Sequence, residues 1–328
     1  MNFISFLINI LCKIKGNSEI IMLNDYYQNI GMKGFIQRYG FINAVKRGTF
    51  MFNKLHFVKD YEVRKILWQK RASLKIKQYL KFKDMDVQGL TYPENNVKNP
   101  IWIYWNKGIE DAPLIVQKCY ESVCRHSNQT IVLLSDLNLA DYIHLPEYIE
   151  KKKATGQIPM AGYADLVRFA LLEHYGGTWI DSTVFLTEPI PKEISNSDFF
   201  AVRNSLLLVE NPVLYPAWLL HAKKENKTIR EIRNVAFAYW LKNEHVIEYL
   251  LPNLIITLVV QSNPEVEQAI PYMNSDYSEY LVKVLAENYS EEKWNWIKKL
   301  TGIHKLTYKL ENEIDKNSTF YRHIIEEE

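Results

Sequence analysis

The spacing of apolar positions changes along the chain, and each change predicts a different element. Residues 59–84, KDYEVRKILWQKRASLKIKQYLKFKD, mix apolar and basic positions at near-helical spacing, which predicts helix with one solvated or acid-facing basic side. GLTYPENNVKNP (89–100) is rich in Gly, Pro and Asn and reads as a linker. IWIYW (101–105) is a compact aromatic and β-branched strand. Residues 113–125 read as a helix with Pro113 in the first turn, and TIVLLSD (130–136) as a second buried strand. Strand, helix, strand is the start of an α/β sheet with parallel strands. Residues 163–175 are apolar on almost every side, as in a buried helix, and Gly176 and Gly177 stop it. TWID then reads as a strand, and EPIP (188–191) ends that segment because proline cannot continue a central strand. Further helix is expected around 213–224, 229–251 and 278–299. The chain thus divides into a helical N-terminal region (1–96) and an α/β domain (97–328).

The N-terminus changes that picture in one respect. MNFISFLINILCKIKG carries an apolar run broken by Asn9 and followed by Lys13 and Lys15. The run is shorter than the roughly 20 apolar residues a membrane-spanning helix needs. No basic stretch precedes it and no small-residue cleavage site follows, unlike a secretory signal. A buried first helix and a helix lying on the membrane surface both fit.

Composition narrows the function classes. Of the 328 residues, 47% are hydrophobic and 24% charged, an ordinary globular balance. A net charge of +2 gives no basic footprint for nucleic acid. The three cysteines, Cys12, Cys119 and Cys124, form no CxxC, and the eight histidines include no HExxH. That gives no zinc-site signal, and a sparse, odd cysteine set suggests a reducing compartment rather than a disulfide framework.

Candidate chemistry concentrates in one stretch. Asp165 and Arg168 lie three apart on the predicted buried helix, so they share a face. A charged pair there is either a structural ion pair or faces a cleft. Gly176 and Gly177 either cap the helix or let the backbone approach a neighbour or ligand, which makes Gly177 a candidate ligand-binding residue. Asp181 falls at the carboxyl end of a strand, the edge where open α/β sheets bind ligands. A carboxylate there suits a divalent cation bridging to phosphates.

The stretch YADLVRFALLEHYGGTWIDSTVFL resembles the signature of bacterial capsular polysaccharide synthesis proteins, related to the DXD-containing sugar transferases. The resemblance runs from IWIYW at 101 to HKLTYK at 304–309, about two thirds of the chain. It implies a GT-A-like nucleotide-sugar-binding sandwich, with the helical N-terminal region before it and additional helices towards the C-terminus. It also implies a nucleotide-sugar-dependent and retaining glycosyltransferase, with UDP-sugars the favoured donors by analogy. Trp105 matches the aromatic near the nucleotide base, against the alternative of a core tryptophan. Asp165 and Arg168 match the pair that holds the donor sugar. Asp181 matches the first Asp of the DXD motif, which meets a Mn or Mg ion and the diphosphate, so Asp181 and Arg168 are the catalytic candidates. The third motif position is Thr183, so the motif reads DST. One carboxylate is missing, as is often so in the capsular branch, and metal dependence is the property this puts in question.

Lys305, Thr307 and Lys309 share one side of HKLTYK if it is extended. Lys305 and Lys309 are expected to contact the diphosphate, against a solvated basic edge. Glu210 and Asn211 in ENPVLYPAW lie where an acceptor side would fall. The expected partners are a nucleotide-sugar donor and a glycan or lipid-linked glycan acceptor, with no nucleic acid. The expected setting is cytoplasmic, with peripheral contact on the inner face of the membrane. Two other readings compete. A phosphatase-type hydrolase with Asp181 as nucleophile would need an Asp at position 183. A non-catalytic nucleotide-sugar or glycan-binding protein would keep the fold without turnover.

Overall fold

The computed structural model describes residues 34, 36–52, 60–205, 211–310 and 318–326. The apolar segment at residues 1–16 and Glu210 lie outside them. Helices α1 (Phe41–Phe52) and α2 (Tyr61–Ile76) come first. They are followed by β1 (Ile101–Tyr104), α3 (Leu114–His126), β2 (Ile131–Leu134), α4 (Glu147–Ala154) and α5 (Met160–Tyr175). Next come β3 (Gly177–Ile180), β4 (Val184–Leu186), β5 (Phe199–Ala201) and β6 (Leu219–Ala222). Helices α6 (Lys227–Lys242), α7 (Leu251–Gln261) and α8 (Glu291–Leu300), strand β7 (Ile303–Lys305) and α9 (Phe320–Glu326) follow.

The fold is mixed α/β. A five-stranded sheet runs in the order β2-β1-β3-β6-β5, and β4 and β7 form a separate pair. Strand β1 is parallel to β2 and β3, whereas β6 is antiparallel to both β3 and β5. The expected parallel character therefore holds for three strands only. Two-residue alternation sends neighbouring side chains to opposite faces of a sheet. Trp102, Tyr104, Trp179 and Leu220 enter one core, beneath α5, α6 and α7. Ile101, Ile103, Ile180 and Leu219 enter the other, on the side of Val123 in α3. Both faces are covered, which explains why these strands read as unbroken apolar runs. Helix α2 packs on α7 and α1 on α2, so the N-terminal helices extend the main core. Among the described residues, no helix is long and apolar enough to cross a membrane.

Three helical expectations are corrected. Residues 213–224 form turns and then β6, not helix. All four β6 residues are buried, so the run has no exposed face, and pairing with β3 and β5 decides its state where periodicity cannot. The helix expected over 229–251 ends at Lys242 and resumes at Leu251. That expected over 278–299 divides into a short helix, Tyr280–Val284, and α8, whose start is capped by Ser290.

Candidate active site

Strands β1 and β3 run parallel, and their carboxyl ends open on a cavity of about 690 Å³. This is the edge where sheets of this kind bind ligands. Asp181 follows β3 directly, and its backbone N–H donates to Trp218 O at 2.9 Å. Arg168 projects from α5 beneath it. Its Nη2 donates to Asp181 Oδ1 at 2.8 Å, its Nη1 lies 3.3 Å from Asp165 Oδ1, and Nη1 also donates to Ala217 O. The guanidinium stacks over the Trp179 ring at 4.8 Å. One buried arginine thus joins the two predicted carboxylates, and the three residues border the cavity.

The two carboxylates titrate in opposite directions. Burial pushes Asp165 up from its ordinary 3.8 to about 6, with Asp181 adding to the rise and Arg168 opposing it. Burial also acts to raise Asp181, but Arg168, Lys305 and the Trp179 hydrogen bond outweigh it and hold that carboxyl below its ordinary range. Asp181 is therefore the fixed anion of the pair.

Lys305 reaches the same point from β7. Strand β7 pairs antiparallel with β4, placing Lys305 opposite Val184, and Leu306 N donates to Thr183 O at 2.7 Å. The ammonium lies 3.3 Å from Asp181 Oδ2 and donates to Thr183 Oγ1. Regular strand ends at Lys305, yet Thr307, Tyr308 and Lys309 also border the cavity. Among the described residues, no ion pair holds Lys309. Trp105 is half-buried at the rim and meets Tyr308 edge-on, with centroids 5.4 Å apart.

Gly177 is placed elsewhere. It opens β3, three residues before its carboxyl end, and does not border the cavity. At φ +103°, a Cβ there would lie 2.2 Å from Pro100 O. The close approach is to the protein's own backbone, so Gly177 shapes the fold rather than a ligand site. Asn211 is a turn residue whose Oδ1 accepts from Val213 N at 3.0 Å.

The residues around Asp181 do not fit a divalent cation as arranged. Oδ1 already accepts from Arg168 and, at 3.1 Å, from Trp179 Nε1. Oδ2 faces Lys305, and the Thr183 hydroxyl is engaged by the same ammonium. Among the described residues, no group of three or more His, Cys, Asp or Glu side chains is arranged to hold a metal. A hard cation takes several oxygen ligands, and here the oxygens are already paired with cations.

Sequence reasoning missed Trp179, although it stands two residues before Asp181, the period that puts side chains on one side of a strand. It also missed the far wall, where Met160, Trp218, Trp240 and Tyr249 line the cavity. No local pattern marks those four, because they come from four separate places in the chain.

No curated protein matches the chain. A solved structure described as the PaToxG glycosyltransferase is similar at a TM-score of 0.38 and 14% identity, covering 63% of this chain and 84% of that one. Residues 51–324 match the family described as capsular polysaccharide synthesis protein. With a match extending over most of its length, the chain belongs to the capsular polysaccharide synthesis protein family.

Proposed function

We propose that this protein is a glycosyltransferase that moves a sugar from a nucleotide-sugar donor to a growing capsular or other surface polysaccharide. The observation that carries the reading is the Arg168 bridge between Asp165 and Asp181 at the ligand edge of the sheet. In the transfer, the bond between the sugar's anomeric carbon and the donor phosphate oxygen breaks. Its electron pair stays on the nucleoside diphosphate. The acceptor hydroxyl oxygen forms the new bond and gives up its proton. Negative charge grows on the leaving diphosphate, and fixed positive groups stabilise that state more than the ground state.

The residues divide this work. Asp165 has Arg168 as its one polar partner among the described residues, which leaves carboxylate lone pairs to accept sugar hydroxyls. Trp105 and Tyr308 meet edge-on in the cavity and are the aromatic surface offered to the nucleoside, and Lys305 and Lys309, which border the same cavity, are the cations offered to the diphosphate. Asp181 holds Arg168 and Lys305 in place. By the resemblance, the sandwich is GT-A-like, transfer retains the anomeric configuration, and UDP is the favoured carrier. In this proposal the work lies on the cytoplasmic side of the membrane, on a glycan or lipid-linked acceptor.

A thermal-shift series with UDP, GDP and CDP tests the donor site. A ligand at a hundred times its dissociation constant adds about 2.7 kcal/mol of stability. One of the three is expected to raise the melting temperature of the wild type and not of Asp181→Asn. No rise with any of them would contradict a nucleotide-sugar site.

A further inference from the structure

We propose that the Lys305 ammonium is the built-in cation of this site, taking the donor diphosphate where a divalent metal is expected, so that donor binding needs no metal. The inference rests on the donor-site reading above and deepens it.

Its first support is how firmly the ammonium is placed. The β4–β7 pairing and the bond from Leu306 N to Thr183 O tie the two chain segments together beside residues 181–183. The lysine is therefore built into the motif, with its side chain 21% exposed. A second support is valence. An ammonium has three N–H donors and no acceptor. Asp181 Oδ2 and Thr183 Oγ1 account for two of them. The residue borders the cavity, so one donor is left for a ligand oxygen.

The third support is what a metal would have to displace. A cation at Asp181 would enter between two groups of its own sign, Arg168 and Lys305, each on a different carboxylate oxygen. Position 183 offers it a neutral hydroxyl already engaged by the lysine. The charges bordering the cavity are Arg168, Lys305 and Lys309 against Asp165 and Asp181. That is three positive and two negative formal charges, a positive balance without any metal. Threonine at position 183 then has a reason: a second carboxylate would cancel the charge the diphosphate needs.

The test is calorimetric titration of UDP, GDP and CDP into the full chain, each in excess EDTA and in Mn²⁺. Wild type is expected to bind one nucleotide with a dissociation constant that differs by less than about threefold between the two conditions. Lys305→Met is expected to weaken that binding by about tenfold or more in EDTA, the usual scale for a lost charge-assisted contact. Lys305→Arg keeps the charge and most of the affinity. Thr183→Asp combined with Lys305→Met restores a two-carboxylate motif and is expected to regain binding in Mn²⁺ only. Melting curves without ligand separate these effects from loss of fold. Wild-type binding that disappears in EDTA and returns with Mn²⁺ overturns this inference and leaves the donor site standing. An unchanged affinity in folded Lys305→Met also overturns it. No binding of any nucleotide under either condition removes the donor-site reading, and the inference with it.

Discussion

Asp165→Asn isolates the buried carboxylate that the site keeps under strain. Burial raises Asp165 from 3.8 to about 6 in the folded protein. An acid whose folded pKa is raised binds more protons in the native state than in the unfolded state. Stability is then lost as pH rises from the unfolded value through the folded one. The gap between 3.8 and about 6 corresponds to roughly 3 kcal/mol. The Asn variant has no such titration. Its stability relative to wild type is therefore expected to improve by up to roughly 3 kcal/mol between about pH 4 and pH 7. Losing the contact with Arg168 shifts that difference by an offset without creating its slope. Asp181 is held below its ordinary value, so it titrates beneath this window. His221 and His304, each pushed down to about 4 by burial, titrate alike in both proteins and cancel. Urea unfolding of both proteins at stepped pH gives the difference directly. A difference that does not change with pH, or that falls as pH rises, would refute the reasoning.

Two further substitutions separate ligand contact from fold. Trp105→Ala removes one of the two aromatic rings at the rim. It is expected to weaken nucleoside diphosphate binding by about tenfold, within the roughly 1–3 kcal/mol range of base stacking, while inorganic pyrophosphate binding stays unchanged; equal losses for both ligands would move Trp105 off the base. Gly177→Ala drives a Cβ to 2.2 Å from Pro100 O at φ +103°. It is expected to cost about 2–4 kcal/mol in urea unfolding, and an unchanged midpoint would show that the β3 entry relaxes freely.

How far the sequence reveals this site depends on the distance over which each signal acts. Asp165 and Arg168 are three apart on α5, and Asp181 ends the next strand, so helical spacing and strand direction bring them together by local rules alone. Trp105 follows the same logic at the end of β1. Lys305 is legible as a basic residue in an extended segment, but its seat on Asp181 spans 124 residues of chain. Only the pairing of β4 with β7 creates that contact. Strand β6 shows the opposite failure. AWLLHA contains good helix formers, and its burial on both faces removes the alternation that marks a strand. Gly177 shows a third. Its neighbour Gly176 ends α5 at φ +71°, but the tight contact of Gly177 is with Pro100, a residue its local sequence does not indicate.

The most direct test of glycosyl transfer is donor turnover. Purified protein is incubated with UDP-, GDP- and CDP-sugars, and release of the nucleoside diphosphate is followed with and without a capsular glycan acceptor. The account predicts release from one nucleotide class, stimulated by acceptor and lost in Asp181→Asn. A donor that binds tightly yet is never cleaved, with acceptor present, would contradict it and identify a binding protein instead.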